Sequence, residues 1–221
     1  MLLGDLDPKG NATMGCGIDK RELKKSIYHV LLGLENLDAI KKYSKNGKFD
    51  VLPANRDLAG AEIELVDVDE REVRLKQALQ EMTEEYAYVI IDCPPALNLL
   101  AVNALTAADA VMIPMQCEYY ALEGVSDLVN TIKKIRGNLN PKLEIEGLLR
   151  TMYDPRSTLA QQVSEQLKNH FGKKVYDAVI PRNIRLAEAP SYGQPVLMYD
   201  KNSKGAQAYL ALAKEVMLKQ L

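Results

Sequence analysis

The run YVIIDCPP at residues 88–95 decides the fold class of this chain. It is a short apolar segment, rich in β-branched residues, that ends in an aspartate and two prolines, which is typical of a buried strand followed by a turn. Five further segments have the same apolar character: residues 2–3, 49–53, 110–115, 143–152 and 174–180. Strands that are apolar along their whole length indicate a parallel sheet that is covered on both faces.

Segments with helical periodicity lie between these strands. Residues 121–136 place aliphatic side chains three or four positions apart, and residues 71–82, 158–171 and 205–221 are also helical in pattern. Strands that alternate with helices predict an α/β fold with a mostly parallel sheet and helices on both faces. No linker, repeat or low-complexity tract interrupts the sequence, so a single domain over residues 1–221 is predicted.

The composition limits the classes of function. The chain has 47% hydrophobic residues, enough for a full-sized core, and 28 basic against 30 acidic side chains give a net charge of −2. Without a global basic excess, a contact with nucleic acid has to come from a local patch. Three scattered cysteines without a CxxC pair argue against a disulfide framework and against zinc or iron–sulfur sites. The sequence shows no signal-peptide pattern and no apolar run of the ~20 residues that span a bilayer, so a cytoplasmic protein without a membrane partner is predicted.

Acidic residues follow two of the predicted strands. Asp5 and Asp7 come directly after the apolar residues 2–3, and Asp92 closes the run at residues 88–92. In parallel α/β sheets, ligands bind beyond the carboxyl ends of the strands. Carboxylates there can hold Mg²⁺ through its water shell or orient the attacking water in phosphoryl transfer. Each aspartate alone would more simply be a solvated strand end, but together they favour a nucleotide site.

Several segments, in the same order along the chain, resemble the ParA/Soj family of chromosome-partitioning ATPases. LLGDLDPKGNAT at residues 2–13 is similar to the family's DxDPQGN segment, and YVIIDCPPAL at residues 88–97 resembles its Walker B region. Three further segments complete the pattern: QCEYYALEG at residues 116–124, TMYD at 151–154 and IPRNIRLAEAPSY at 180–192. The resemblance implies a P-loop NTPase-like sheet of the MinD/ParA superfamily, whose Walker A loop is deviant.

The resemblance also implies an activity. Members of this family dimerise around two ATP molecules with Mg²⁺, bind DNA non-specifically as that homodimer, and hydrolyse ATP when a ParB/Spo0J-like partner stimulates them. A protein of this kind would partition chromosomes or plasmids and would be found in the cytoplasm at the nucleoid.

Residue roles in catalysis follow from the same resemblance, position by position. Asp7 would position the hydrolytic water, and Asp5 would lie near the water shell of Mg²⁺ as a second catalytic carboxylate. Asp92 would be the Walker B acid and, with Asp5, would hold the metal.

Further positions match the nucleotide-binding and DNA-binding residues of the family. Four residues would lie at the nucleotide, the last of them near the dimer face: Pro181, Arg182, Met152 and Glu118. Arg156 and Arg185 match surface arginines that the family uses for DNA, although exposed arginines in such places are usually only solvated.

The chain departs from the family pattern at single positions. Lys9 replaces the usual glutamine of DPQGN, and Gly4 replaces an aliphatic residue. Arg150 stands where the family has an aliphatic residue on a strand. A buried arginine needs a partner, so this position predicts a strand at the edge of the sheet or a repacked site.

The 221 residues contain neither GxxxxGK[ST] nor the deviant KGGxGKT of a P-loop. In the family, a strand, the P-loop and a helix precede the DxDP segment, a unit of roughly 30 residues. The resemblance therefore implies a truncated chain with two open strand edges. Two alternatives to an active ATPase are a non-catalytic fragment that serves as an interaction module and a MinD-like positioning ATPase. The weakly amphipathic residues 205–221 and the QCEYYALEG segment favour ParA/Soj over MinD.

A polypeptide of these 221 residues is expected to bind ATP weakly, because P-loop amides and the P-loop lysine hold the phosphates in such ATPases. Titration of a fluorescent ATP analogue with Mg²⁺ against the purified chain measures this affinity. Micromolar, magnesium-dependent binding would contradict the prediction and would require phosphate ligands elsewhere in the chain.

Overall fold

A computed structural model describes residues 1–80, 82 and 85–219. The strands of this part of the chain are β1 Leu2–Asp5, β2 Lys42–Ser44, β3 Phe49–Leu52, β4 Val89–Asp92, β5 Ala110–Gln116, β6 Glu144–Tyr153 and β7 Val175–Pro181. The helices are α1 Asn11–Gly15, α2 Ile27–Leu31, α3 Leu37–Ile40, α4 Leu58–Glu64, α5 Arg74–Gln80, α6 Leu99–Ala107, α7 Ala121–Asn138, α8 Thr158–Phe171, α9 Ile184–Glu188, α10 Val196–Tyr199 and α11 Lys204–Lys219. Short 3₁₀ helices cover Gly172–Lys174 and Ala189–Tyr192.

The chain forms two compact units. Unit 1 consists of Met1–Ala108 and Ala189–Met198, and unit 2 consists of Asp109–Glu188 and Tyr199–Leu221. Each unit contains one sheet with its own helices. The predicted organisation as a single domain stays a prediction.

The sheet of unit 1 has the strand order β2-β3-β1-β4. β1 pairs in parallel with both β3 and β4, whereas β2 runs antiparallel to β3 at one end. β1 lies between two strands, and its first residue, Leu2, is completely inaccessible to solvent. Burying one leucine contributes about 1.5–3 kcal/mol, so this central strand is a main anchor of the unit.

The core of unit 1 joins the sheet to helices α2, α4, α5 and α6. Its largest fully buried side chains are aliphatic and include Leu2, Leu6, Ile27, Leu31, Leu58, Leu75 and Leu100. Asn103 of α6 is buried with them. Its Oδ1 accepts the Leu75 amide at 3.1 Å, and its Nδ2 donates to the Arg71 carbonyl at 2.8 Å. This asparagine therefore supplies hydrogen-bond partners for a backbone amide and a backbone carbonyl near the start of α5.

The sheet of unit 2 has the order β5-β6-β7, and all its pairings are parallel. Helix α11 packs on β7, where Leu212 joins a buried cluster with Leu149, Tyr176 and Ile180. The Glu215 carboxylate of α11 accepts the amides of Asp177 and Ala178, both at 2.9 Å. The helix therefore satisfies donors on the outer edge of β7 that would otherwise be open to another strand.

Most of the predicted elements are confirmed. The α/β class with mostly parallel sheets is correct, and the six predicted strands begin and end within about two residues of the observed ones. The helix predicted at residues 71–82 is shorter, Arg74–Gln80, and residue 81 lies outside the described residues. The C-terminal helix is described to Lys219, so residues 220–221 of that prediction also lie outside them.

Arg150 lies in the middle strand of unit 2, so its interpretation as an edge position is wrong. Only 4% of the residue is exposed. Its guanidinium donates to Ser164 Oγ at 2.8 Å and to the carbonyls of Tyr176 at 2.5 Å and Asp177 at 3.3 Å. Neutral oxygens from α8 and β7 therefore stabilise the buried charge, and the site is repacked around it.

Within the described ranges, β4 and β5 each have a hydrogen-bonded neighbour on one side only, and the prediction that these edges result from a missing strand stays a prediction. Ile90 of β4 is 50% exposed even though its neighbours in sequence are apolar. Among the described residues, no helix combines the length and the apolar character that crossing a membrane requires.

Candidate functional site

The carboxyl ends of β1 and β4 bring Asp5 and Asp92 side by side. The two strands run parallel in a register that pairs Asp5 with Asp92, and the Leu6 amide donates to the Asp92 carbonyl at 2.8 Å. Asp7 follows two residues later in the turn that leaves β1. The three predicted carboxylates therefore lie together at one end of the unit 1 sheet, where ligands bind in parallel α/β proteins.

Asp5 is completely buried, and the surrounding chain supplies its hydrogen bonds. Its Oδ2 accepts the Thr13 amide at 2.8 Å and the Thr13 hydroxyl at 2.7 Å, and its Oδ1 accepts the Asp7 amide at 3.1 Å. The Thr13 hydroxyl in turn accepts the Ala54 amide at 2.9 Å. The carboxylate thus joins the end of β1, helix α1 and the segment after β3 through buried hydrogen bonds.

Thr13 is a site residue that the sequence interpretation missed. It lies within the family-like run at residues 2–13, eight positions after Asp5, and is itself fully buried. A buried threonine needs a partner for its hydroxyl, which could have indicated a contact with the nearby aspartates. The sequence gives no spacing rule for this pair, because the turn at residues 7–10 sets their separation.

Asp7 is half-buried and belongs to a local turn. Its Oδ1 accepts the Lys9 amide at 3.0 Å, and its carbonyl accepts the Gly10 amide at 2.8 Å. Its Oδ2 has no hydrogen-bond partner in the part of the chain that the structure describes. The turn role and a role toward a ligand are therefore compatible, because one carboxylate oxygen remains available.

The cluster of carboxylates is electrostatically unfavourable. Loss of hydration, together with the negative charges of Asp5 and Asp7, raises the pKa of Asp92 to about 6. Burial also raises the pKa of Asp5, although the hydrogen bonds from Thr13 and the Asp7 amide favour its charged form. A cation at this position would relieve the repulsion, and carboxylate oxygens are the ligands that Mg²⁺ prefers.

The carboxylates at this end of the sheet can supply some of the ligands of an Mg²⁺ ion, and water and phosphate oxygens would supply the others. The described residues contain no group of three or more His, Cys, Asp or Glu side chains that could hold a metal on their own. Magnesium at phosphate-handling sites uses one or two carboxylates, with waters and phosphate oxygens completing the shell. Asp92 can supply such an oxygen, and Asp5, whose oxygens already accept three protein donors, would act on a metal-bound water.

The predicted nucleotide residues lie in unit 2, at the carboxyl ends of its strands. The register pairs Tyr153 with Pro181, and the Arg182 amide donates to the Tyr153 carbonyl at 3.3 Å, so Met152 lies close to this pair. Met152 is 45% exposed and has a positive φ of 51°, a left-handed conformation that costs energy for a side chain of this size. Glu118 lies two residues beyond the end of β5 and is exposed.

Tyr119 and Tyr120, which follow Glu118, are 74% and 73% exposed. Their rings contact each other edge to face, with centroids 5.0 Å apart. Both rings therefore lie on the surface of unit 2.

The two predicted DNA-contacting arginines are exposed and paired with carboxylates. Arg156 binds Asp154 through its Nε at 3.0 Å and its Nη2 at 2.8 Å, which lowers the pKa of Asp154 to about 2. Arg185 contacts Glu188 at 2.8 Å and Asp200 at 3.4 Å. Exposed ion pairs of this kind are weak, so both guanidinium groups remain accessible to a stronger anionic partner.

Comparisons with known proteins find relatives of nearly the whole chain. A family profile described as an AAA domain matches residues 1–145. The sporulation initiation inhibitor protein Soj of Bacillus subtilis is 54% identical over 216 residues, which cover 98% of this chain and 85% of that protein. The chromosome partitioning protein ParA of Caulobacter vibrioides is 52% identical over 223 residues, which cover 100% of this chain and 83% of that protein.

A solved structure extends the comparison to three dimensions. Cobyrinic acid a,c-diamide synthase from Mycobacterium smegmatis, with a bound ATP analogue and magnesium, matches with a TM-score of 0.86 and 37% identity. The match covers 98% of this chain and 81% of that protein. A nucleotide and magnesium are therefore found in a protein whose fold closely resembles this one.

Replacing Asp92 by asparagine is expected to change how stability depends on pH. An ordinary aspartate has a pKa of about 3.9, so as the pH rises the unfolded chain loses this proton before the folded chain does. Because the pKa of Asp92 is raised to about 6 in the folded chain, the parent should lose stability as the pH rises from about 4 to about 6. Asp92→Asn should lack this loss and be more stable than the parent at pH 7.

Urea unfolding at pH 4, 5, 6 and 7 measures the effect. Asp67→Asn, which changes an exposed carboxylate outside the cluster, is the matched control and should keep the parental pH dependence. Parallel stability curves for the parent and Asp92→Asn over this pH range would show that the raised pKa is wrong.

Proposed function

This chain belongs to the ParA/Soj family of chromosome-partitioning ATPases, and we propose that it carries the catalytic carboxylates of an Mg²⁺-dependent ATPase that segregates chromosomes or plasmids. The observation that carries the proposal is the register that places Asp5 beside Asp92 at the carboxyl ends of two parallel strands, with Asp7 in the adjoining turn. The identity of more than 50% with Soj and ParA over nearly the whole chain supports the same activity.

The three carboxylates take different roles because their surroundings differ. Asp92 is exposed and has a raised pKa, so it would hold Mg²⁺ and be stabilised as an anion by it. Asp5 is fixed by Thr13 and would orient a water of the metal shell. When bound, Mg²⁺ supplies charge neutralisation at the phosphates.

Asp7 is the residue we assign to the hydrolytic water. The Asp7 amide is tied to Asp5 and one Asp7 oxygen is tied to the Lys9 amide, which restricts the carboxylate while leaving Oδ2 available. Phosphoryl transfer depends mainly on positioning and charge stabilisation, so a fixed acceptor for a water proton is what this step requires.

The remaining parts of the proposal rest on the family and on unit 2. Met152, Pro181 and Arg182 converge at the ends of β6 and β7 and would contact the nucleotide, with Glu118 near the dimer face. The protein would act as an ATP-dependent homodimer on non-specific DNA, stimulated by a ParB/Spo0J-like partner, in the cytoplasm at the nucleoid.

Asp7→Ala should reduce ATP hydrolysis sharply while ATP affinity and dimerisation are retained, because the carboxylate acts on the attacking water rather than on the bound nucleotide. The test uses a chain that carries a family-type strand, P-loop and helix ahead of Leu2. ATP affinity, the dimer fraction by light scattering and phosphate release are measured on one preparation.

Asp69→Ala, in an exposed segment of unit 1, is the control and should behave like the parent. If Asp7 only stabilises its turn, the alanine variant will lose stability, binding and turnover together. Turnover at the parental rate would remove Asp7 from the mechanism.

Arg156→Ala and Arg185→Ala should each weaken binding of duplex DNA uniformly across sequences in the same extended chain. Each lost phosphate contact should flatten the log–log dependence of affinity on salt by about 0.9. The ion pair between Arg156 and Asp154 also allows a variant whose expected effect on DNA binding is the opposite. Asp154→Asn frees Arg156 from its bidentate partner and should strengthen DNA binding.

Fluorescence anisotropy with a labelled duplex at several salt concentrations measures both effects. Arg136→Ala removes the same charge from the exposed end of α7 and serves as the control. Parental affinity in both arginine variants would show that the DNA-contacting surface lies elsewhere.

A further inference from the structure

Unit 1 contains a cavity of about 870 Å³ whose lining begins at Pro8, directly after Asp7, and includes none of the three clustered aspartates. It is lined by the turn after β1, by residues 20–23 and by the segment that enters α4. Its volume lies within the range of roughly 300–1,000 Å³ that is usual for small-ligand sites. The proposed ATPase mechanism assigns no role to the side chains around it.

Gly10 is where the three lining segments meet. It has a φ of 60°, and a Cβ at this position would lie 2.6 Å from the Ala54 carbonyl oxygen and 2.9 Å from Lys20 Cδ. The close approach lets the Lys20 ammonium cross the turn and donate to the Lys9 carbonyl. The buried hydrogen bond from the Ala54 amide to Thr13 Oγ1, at 2.9 Å, fixes the chain directly before the lining residues Asn55 and Arg56. Close packing at Gly10 and these two hydrogen bonds therefore hold the lining segments together.

The cavity is strongly basic in a chain whose net charge is −2. Four cations line it: Lys9, Lys20, Arg21 and Arg56. Arg21 is neutralised by Asp19 at 2.7 Å, and the lining carboxylate Asp57 accepts a hydrogen bond from Asn55 at 3.0 Å. In the described part of the chain, the side chains of Lys9 and Arg56 make no hydrogen bond or ion pair.

We propose that this cavity binds a small polyphosphate anion through Lys9, Lys20 and Arg56. Two unpaired cations and a third fixed by a carbonyl match a ligand with several negative oxygens, and a guanidinium can bind two phosphate oxygens at once. The concave shape favours a small ligand over the convex backbone of a duplex. Leu23 and Ala59 add apolar wall, so the polyphosphate can be free or carried by a nucleotide.

Isothermal titration calorimetry with inorganic tripolyphosphate, in EDTA and at low ionic strength, tests the proposal on the 221-residue chain. The double variant Lys9→Gln/Arg56→Gln should bind at least about tenfold more weakly than the parent, the loss expected for one charge-assisted hydrogen bond. Lys42→Gln/Lys45→Gln removes the same charge from exposed lysines outside the cavity and should bind like the parent. Circular dichroism and thermal unfolding verify that both double variants are folded.

Titrations with tripolyphosphate, ATP and duplex DNA distinguish which kind of phosphate ligand the cavity binds. Equal losses for tripolyphosphate and for ATP without magnesium would show that the cavity recognises the phosphate chain itself. Equal weakening in both double variants would reduce the effect to general surface charge and overturn the proposal. Tripolyphosphate binding that is undetectable in EDTA but appears with Mg²⁺ would place the anion at the carboxylates and also overturn it. A loss confined to duplex DNA would contradict it as well, because the cations would then belong to a DNA surface.

Discussion

The buried hydrogen bonds between Asp5 and Thr13 hold together the functional end of unit 1. Their shortest contact, hydroxyl to carboxylate, is 2.7 Å and inaccessible to solvent. A buried carboxylate that loses its partners costs several kcal/mol, so α1 cannot leave the sheet without exposing or neutralising Asp5. Because the same threonine accepts the Ala54 amide, the turn after β1 and the segment after β3 are fixed by one side chain.

This constraint explains why an unfavourable cluster of charges persists in the folded chain. The register of β1 and β4 places Asp5 beside Asp92, and loss of hydration together with the neighbouring charges raises the pKa of Asp92. Packing of the apolar residues of β1, above all Leu2, provides the stability that offsets the cost of this cluster. Sites that are strained in this way are where a ligand of opposite charge can gain the most binding energy.

The sequence predicted the fold well where side-chain pattern alone determines structure. Fully apolar runs can be stable only as buried strands or helices, and their length and β-branching identified five of the six predicted strands, the exception being the two-residue start of β1. Helix α6 was not predicted because LLAVNALTA is apolar all round and shows no polar stripe. Strand β2 was missed because its three residues, KYS, are mostly exposed and gain their conformation only from pairing with β3.

The sequence predicted the carboxylates of the candidate site, but it did not predict the side chains that surround them. Asp5, Asp7 and Asp92 follow apolar strands, which is a local pattern, whereas the contact of Thr13 depends on the path of a turn. Arg150 shows the same limit, because its stabilising oxygens come from α8 and β7, far away in sequence.

The close structural match to a cobyrinic acid a,c-diamide synthase shows that this fold does not determine a single activity. If the proposed function is correct, the features that separate a DNA-partitioning protein from such an enzyme lie outside the carboxylate cluster. Arg156 and Arg185 are in such positions, and each is held by carboxylates on the surface. An exposed ion pair contributes only about 0–1 kcal/mol, so a DNA phosphate can replace the carboxylate at little cost.

After this replacement the displaced carboxylate still lies near the DNA, and its negative charge repels the phosphates, so each arginine contact stays weak. Binding by one chain with a net charge of −2 would then be slight, and pairing two chains, which doubles the number of contacts, would be needed to make it strong.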